Sequence, residues 1–175
     1  PGNEASVVTI GNFDGMHNGH KKVVSTCIER AHKLGVDAVA ITFDPHPIQV
    51  HKPEVGLQLI SPLRDRLDAM AAAGLDATLV ARYDASVYSL EPEEFVYEYL
   101  VERCGAREVV VGEDFRFGRG NAGTIDTLRE LGSRYGFGVI TVTDIEAPEG
   151  RRWSSSWVRE LLAAGDVSGA ARVLG

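Results

Sequence analysis

Ser6-Val7-Val8-Thr9-Ile10-Gly11-Asn12-Phe13-Asp14-Gly15-Met16-His17-Asn18-Gly19-His20 passes from a β-branched apolar run, through a loop framed by glycines, into a helix-period segment. A buried strand that turns at once into a helix opens a strand–helix–strand unit. The helical pattern runs from Gly19 to Leu34 and stops at Gly35, and a second apolar run, Val36 to Phe43, follows. The alternation then repeats along the chain. Apolar runs recur at Ala77 to Ala81, Glu108 to Val111 and Gly138 to Val142. Helix-period segments lie between, at Pro62 to Ala73, Pro92 to Cys104 and Ile125 to Tyr135, ending near Gly74, Gly105 and Gly136. Ser61-Pro62 and Glu91-Pro92 put proline where a first helical turn tolerates a missing N–H. Thr124 is placed to cap the helix that follows it, and Asp166 to cap a closing helix that ends at Leu174.

Continuous apolar strands joined by helical crossovers predict an α/β fold: a doubly wound, five-stranded parallel sheet covered on both faces, with right-handed connections. With strand order 3-2-1-4-5, the ligand crevice lies outside the carboxyl ends of the strands, where the order reverses. The loops Gly11 to His17, Asp44 to Ile60, Arg82 to Glu91, Gly112 to Thr124 and Asp144 to Ser154 are therefore where chemistry is expected.

At 175 residues and 44% hydrophobic composition the chain suits one compact domain. A formal net charge of −7 lacks the basic footprint of a nucleic-acid binder, but a few local donors still suffice for a small anionic substrate. The two cysteines, Cys27 and Cys104, complete neither a zinc set nor a disulfide framework, and both read as helix core positions. No apolar run approaches the roughly 18 residues of a membrane span, and the polar Pro1-Gly2-Asn3-Glu4 start does not resemble a signal peptide, so no membrane partner and a cytoplasmic location are expected. The missing initiator Met and the stop at Leu174-Gly175 suggest a piece of a longer chain. The acidic run Glu91 to Glu102 reads as a solvated helix face, and His32 and His51 as histidines without a role.

The first loop suits a phosphate. Gly11 and Gly15 permit a tight turn, and the helix N-terminus directs N–H groups at an anion. His17 and His20 share one helical face, where two imidazoles can donate to phosphate oxygens as charge builds on phosphorus; a chance pair on a solvated turn and a metal site are the alternatives. In Thr42-Phe43-Asp44-Pro45-His46-Pro47 the two prolines predict an extended exit from strand two that holds His46 near the crevice, as a ligand wall or a stiff turn. In the fourth loop Phe115 and Phe117 offer faces to an aromatic ring or serve as core, Asp114 and Asn121 can address a ring's polar edge, and Arg119 a phosphate. Ser154, Ser155 and Ser156 begin the last helical region with Arg159 a turn on, either an ordinary serine cap with a surface arginine or a clamp for leaving pyrophosphate.

His17-Asn18-Gly19-His20 resembles the His-X-Gly-His signature of the nucleotidyltransferase superfamily, which implies a Rossmann-like nucleotidyltransferase fold. The longer Phe13 to His20 stretch most resembles the prokaryotic FAD synthetase module; pantetheine-phosphate adenylyltransferases usually carry Thr where His17 stands. Thr42 to Pro47 is similar to that family's second motif, and Asp114-Phe115-Arg116-Phe117-Gly118 with its glycine-rich continuation to its flavin-binding segment. Ser154 to Arg159 resembles its Ser-Ser-Thr-X-Ile/Val-Arg motif, with Ser156 where threonine is usual and Trp157 at the variable position. The motifs stand in the family's order over Ser6 to Gly175.

The resemblance implies that residues 1–175 are a single FMN adenylyltransferase domain making FAD and pyrophosphate from ATP and FMN. The riboflavin kinase domain is absent from this chain but covalently linked in a bifunctional parent. By the same resemblance His17, His20, Ser155, Ser156 and Arg159 are catalytic. Gly11, Asn12, Phe13, Asp14 and Gly19 bind ATP; Pro45, His46, Pro47, Asp114, Phe115, Phe117, Arg119 and Asn121 bind FMN. Magnesium is expected to be held mainly through the ATP phosphates, with no dedicated protein metal site. A nucleotidyltransferase using CTP or phosphopantetheine, or a non-catalytic flavin or nucleotide-binding module, are the competing readings.

Overall fold

The computed structural model describes residues 5–143, 147–148 and 150–175. Strands β1 (Ser6–Ile10), β2 (Asp37–Asp44), β3 (Ala77–Arg82), β4 (Ala106–Gly112) and β5 (Gly138–Val142) form one parallel sheet in the order β3-β2-β1-β4-β5. This is the doubly wound architecture that the alternating pattern predicts, in the strand order expected. Side chains alternate across the central strand. Val8 and Ile10 join Ile41, Val109 and Val111 on one face, while Val7 joins Ala38, Ala40 and Val110 on the other.

Helices cover both faces because each presents its own apolar stripe. Helices α1 (Asn18–Leu34) and α3 (Leu63–Ala72) bury Val24, Cys27, Ala31 and Met70 against the Val7 face. Helices α5 (Pro92–Phe95) and α6 (Ile125–Tyr135) belong to the Val8 face, with Phe95, Leu128 and Leu131 buried there. The capping residues act as expected. Thr124 caps α6, accepting from Thr127 N at 3.2 Å, and Gly35 ends α1 in the left-handed region at φ 65. Cys27 and Cys104 are both buried free thiols. A third apolar cluster, Val158, Ala170 and Val173, joins α7 (Ser155–Ala163) to α8 (Val167–Leu174), which Asp166 caps.

Three segments differ from the pattern. The single helix expected from Pro92 to Cys104 is a short α5 followed by a wider π-type helix, Val96–Arg103. Phe95, Val96, Tyr99 and Leu100 are buried along one face of this segment. The extended exit expected from Pro45 and Pro47 stops at His46, because Pro47 opens helix α2 (Pro47–His51). The loop after β3 likewise contains α4 (Ala85–Tyr88), capped by Asp84. Of the loop expected at 144–154, residues 144–146 and 149 lie outside the described residues, as do residues 1–4.

Candidate active site

The loop leaving β1 is wound tightly and pinned from several sides. Phe13 and Met16, both buried, adopt positive φ of 50 and 46, and Gly15 sits at φ 82, where a Cβ would meet Ile60 at 2.8 Å. Asp14 is 1% exposed and accepts hydrogen bonds from Ile60 N and Ser61 N, each at 3.0 Å, and from the Arg159 guanidinium. Those bonds occupy its carboxylate and make it a brace between the motif loop, the approach to α3 and α7. Beneath the loop lies Arg66, fully buried, donating to Asn12 O at 2.9 Å, to Phe43 O at 3.3 Å and to Asp44 Oδ1 at 3.3 Å. Burying a guanidinium is costly unless carbonyls and carboxylates replace water, and here they tie the ends of β1 and β2 together. Sequence reasoning passed over Arg66. Its signal was its place between Leu63 and Met70 on the inward face of α3.

His17 is the N-cap of α1, its Nδ1 accepting the His20 backbone N–H at 3.3 Å. An accepting Nδ1 puts the proton of the neutral ring on Nε2, so His17 offers one donor away from the helix. The His17 and His20 rings stack with centroids 3.6 Å apart. Burial first, then Arg152, pushes His17 down to about 4, against an opposing pull from Asp14. Burial, then His17 and Arg152, holds His20 well below the usual histidine range. Both rings are therefore neutral near pH 7, which spares a stacked pair its mutual repulsion. His20 Nδ1 is buried without a hydrogen-bond partner.

Both histidines line a cavity of about 310 Å³ with Gly11, Asn12, Phe13 and Gly19. Asp114, Arg152 and Ser154 stand on its other walls, Arg152 paired with Asp114 at 2.8 Å. A second cavity, also about 310 Å³, is aromatic, with Phe43, Tyr83, Phe95, Phe115 and Phe117 on its walls. Phe115 and Phe117 stack at 5.5 Å, and Phe117 reaches Phe95 at 6.0 Å. Ile10, Gly11, Asn12 and Phe115 line both cavities, so the two adjoin at the carboxyl ends of β1 and β4, where strand order reverses.

The expected nucleotide residues thus divide: Gly11, Asn12, Phe13 and Gly19 line the histidine cavity, whereas Asp14 braces the loop. Of the expected flavin residues, Pro47, Phe115, Phe117 and Asn121 line the aromatic cavity. Asp114 lines the histidine cavity instead. Arg119 pairs with Glu91 at 2.6 Å and lines neither cavity; Arg116, passed over in the sequence, lines the aromatic one. Pro45 is exposed and His46 buried, its ring capping α2 by accepting from Ile48 N at 3.1 Å; neither lines these two cavities. Burial first, then Arg159 and Arg66, lowers His46, with Asp14 opposing. Ser154 caps α7, Ser155 Oγ donates to Asp14 O at 2.8 Å, and Ser156 is exposed. Arg159 donates through Nε to Gln58 O at 2.7 Å and through Nη2 to Asp14.

The FAD synthetase family model matches residues 1–157. The chain belongs to the FAD synthetase family. Family membership agrees with the motif resemblance, and relatives extend it over the rest of the chain. The bifunctional riboflavin kinase/FMN adenylyltransferase of Pseudomonas fluorescens is 37% identical over 175 residues, covering 100% of this chain and 56% of its own length. That of Escherichia coli K12 is 34% identical, covering 98% of this chain and 55% of its own. A putative enzyme of the same name from Geobacillus thermodenitrificans is 36% identical, covering 97% of this chain and 89% of its own. The chain thus spans about half the length of the first two relatives. Among solved structures, a macrolide-efflux protein from Streptococcus pneumoniae has a TM-score of 0.84 at 26% identity, covering 98% of this chain and 55% of its own. A pantoate-beta-alanine ligase from Francisella tularensis, at TM-score 0.61 and 16% identity over 94% of this chain and 67% of its own, shares the fold. Among the described residues no helix is long and apolar enough to cross a membrane, and no group of three or more His, Cys, Asp or Glu could hold a metal ion.

Proposed function

We propose that this chain transfers AMP from ATP to FMN, giving FAD and pyrophosphate. The observation that carries the reading is the pair of adjoining cavities, one built around two neutral imidazoles and a glycine turn, the other around aromatic rings. The first suits a nucleotide triphosphate and the second a flavin. Their shared wall at Gly11 and Asn12 is where an FMN phosphate and an ATP α-phosphate would meet.

An FMN phosphate oxygen attacks the α-phosphorus in line. The new P–O bond forms as the bond to the α–β bridging oxygen breaks, and that electron pair leaves with pyrophosphate. His17 Nε2–H and His20 donate to the oxygens on which charge grows, without accepting or losing a proton. Arg159, Ser155 and Ser156 line neither cavity; Arg159, held by Gln58 and Asp14, has Nη1 left as a donor toward the leaving group, and Ser155, whose hydroxyl donates to Asp14 O, holds the motif loop against α7. Asp14 shapes the loop rather than touching ATP, and Phe13 forms part of the nucleotide cavity's wall. Arg116 in the aromatic cavity takes the cationic role toward FMN expected of Arg119. Magnesium would be held mainly by the phosphate oxygens of ATP and by water, where it would offset phosphate charge. On this reading residues 1–175 are one adenylyltransferase domain of a cytoplasmic protein whose full-length form links it to a riboflavin kinase domain; what supports the link is that the chain spans about half the length of relatives named riboflavin kinase/FMN adenylyltransferase.

Incubating the chain with ATP, magnesium and FMN, with CTP and phosphopantetheine in parallel, tests the reading by chromatography. FAD and pyrophosphate in equal amounts are expected. Binding without product, or turnover only with another nucleotide or acceptor, overturns it.

A further inference from the structure

We propose that His51 and Tyr83 form a positioning pair for the pyrimidinedione edge of the flavin, in a chamber that opens off the aromatic cavity. The inference rests on the FMN reading above. The chamber, about 410 Å³, shares Pro47, Tyr83, Tyr88 and Asn121 with the aromatic cavity and adds His51 and Lys52.

Phe43, Val87, Phe95 and Phe117 line the aromatic cavity alone and offer no hydrogen bond, whereas Tyr83, Tyr88 and Asn121 stand where it meets the chamber, and the chamber adds the His51 imidazole and the Lys52 ammonium group. An isoalloxazine ring has the same asymmetry, with methyl groups at one end and N3–H between two carbonyls at the other. Desolvating that polar edge against phenylalanine would leave three groups unpaired, so the dimethylbenzene end belongs among the phenylalanines and the pyrimidinedione beside His51.

The pair is built for this. His51 Nε2 lies 2.9 Å from Tyr83 Oη, and the imidazole meets Tyr83 and Tyr88 edge-on at 5.5 and 5.1 Å. Tyr83 in turn meets Phe43 edge-on at 5.5 Å. Burial raises the Tyr83 phenol, so it keeps its proton at neutral pH. If Tyr83 donates to Nε2, His51 Nδ1–H and a phenol lone pair remain; if Nε2–H donates to the phenol, the phenol proton and Nδ1 remain. Either tautomer leaves one donor and one acceptor, the complement of N3–H and its neighbouring carbonyl. Core packing does not account for the arrangement, because α2, which ends at His51, buries no residue.

Flavin fluorescence titrations with FMN, 3-methyl-FMN and a C8-substituted FMN test the pair in the wild type, His51→Phe and Tyr83→Phe. Both variants keep a ring in place and remove the hydrogen bond. The wild type is expected to bind FMN about fivefold to tenfold more tightly than 3-methyl-FMN, as loss of one hydrogen bond predicts, and either substitution to bring that ratio to about one without changing the C8 ratio. A 3-methyl ratio that survives both substitutions, or a C8 ratio that moves instead, overturns the pairing while FAD synthesis by the wild type leaves the FMN reading intact. A wild type that makes no FAD from FMN and ATP removes both.

Discussion

Two imidazolium charges on rings stacked 3.6 Å apart would repel, so the geometry of His17 and His20 opposes charging both at once, and burial holds each of them neutral. Imidazole C–H signals followed by NMR titration should show neither ring with a midpoint near 6.5; such a midpoint for either would contradict the neutral pair. The sign of the stability effect follows. A depressed folded-state pKa means that the unfolded chain binds more protons between about 4 and 6.5. The His17 contribution is then fully present above 6.5 and lost as pH falls through that window, at up to ~1.4 kcal/mol per pH unit. Chemical denaturation across that range should show a shallower acid limb in His17→Gln. Asp14 makes a different residue-scale claim. Asp14→Asn leaves Arg159 without its counter-charge and should cost about 2–4 kcal/mol in denaturant titrations, with kcat reduced more than the affinity for FMN is. The sequence placed both histidines at the start of α1, where they line one cavity, and read as a nucleotide ligand Asp14, which here braces the loop. Its partners Ile60, Ser61 and Arg159 are remote in sequence, and no local pattern announces a carboxylate that braces a loop.

Elements were legible where their period was long enough to show. The strands and α1, α3 and α6 follow from alternation, glycine stops and caps, within a residue or two at their ends. Helix α2 did not, because five residues give no period, and its start depends on a histidine ring accepting from Ile48 N. The segment after β4 shows how an element is shaped for a ligand. Phe117 and Gly123 exchange backbone hydrogen bonds at 3.2 and 2.8 Å, which turns the loop back on itself and presents Phe117 to the aromatic cavity. A Cβ on Gly123 would stand 2.7 Å from the Phe117 ring. Gly123→Ala therefore displaces that ring and should weaken FMN binding about tenfold while ATP binding is unchanged, readable by fluorescence titration. Equal binding of FMN by variant and wild type would show that Phe117 does not shape the flavin wall.

At the scale of the molecule, the order β3-β2-β1-β4-β5 brings loops far apart in sequence to one edge, and that convergence was readable from strand order alone. How the closing helices dock was not. Asn18 Nδ2 donates to Arg172 O at 3.1 Å and Lys21 Nζ to the Gly175 backbone oxygen at 2.7 Å, so α8 leans on the start of α1 while Val158, Ala170 and Val173 hold it to α7. Removing residues 167–175 should cost about 3 kcal/mol of stability by calorimetry and lower kcat, because α7 carries Arg159. A shortened chain with unchanged melting and turnover would contradict that support. The net charge of −7 argues against a polyanion partner without arguing against a small anionic substrate, since local groups decide such affinity, and one cavity is lined by His17, His20 and Arg152.

The central claim, attack by an FMN phosphate oxygen on the α-phosphorus of ATP, is tested most directly by single turnover with FMN whose phosphate carries oxygen-18, followed by mass spectrometry of both products. All of the label should remain in FAD, with unlabelled pyrophosphate in equal amount. Label in pyrophosphate, or no FAD at all, would contradict the account.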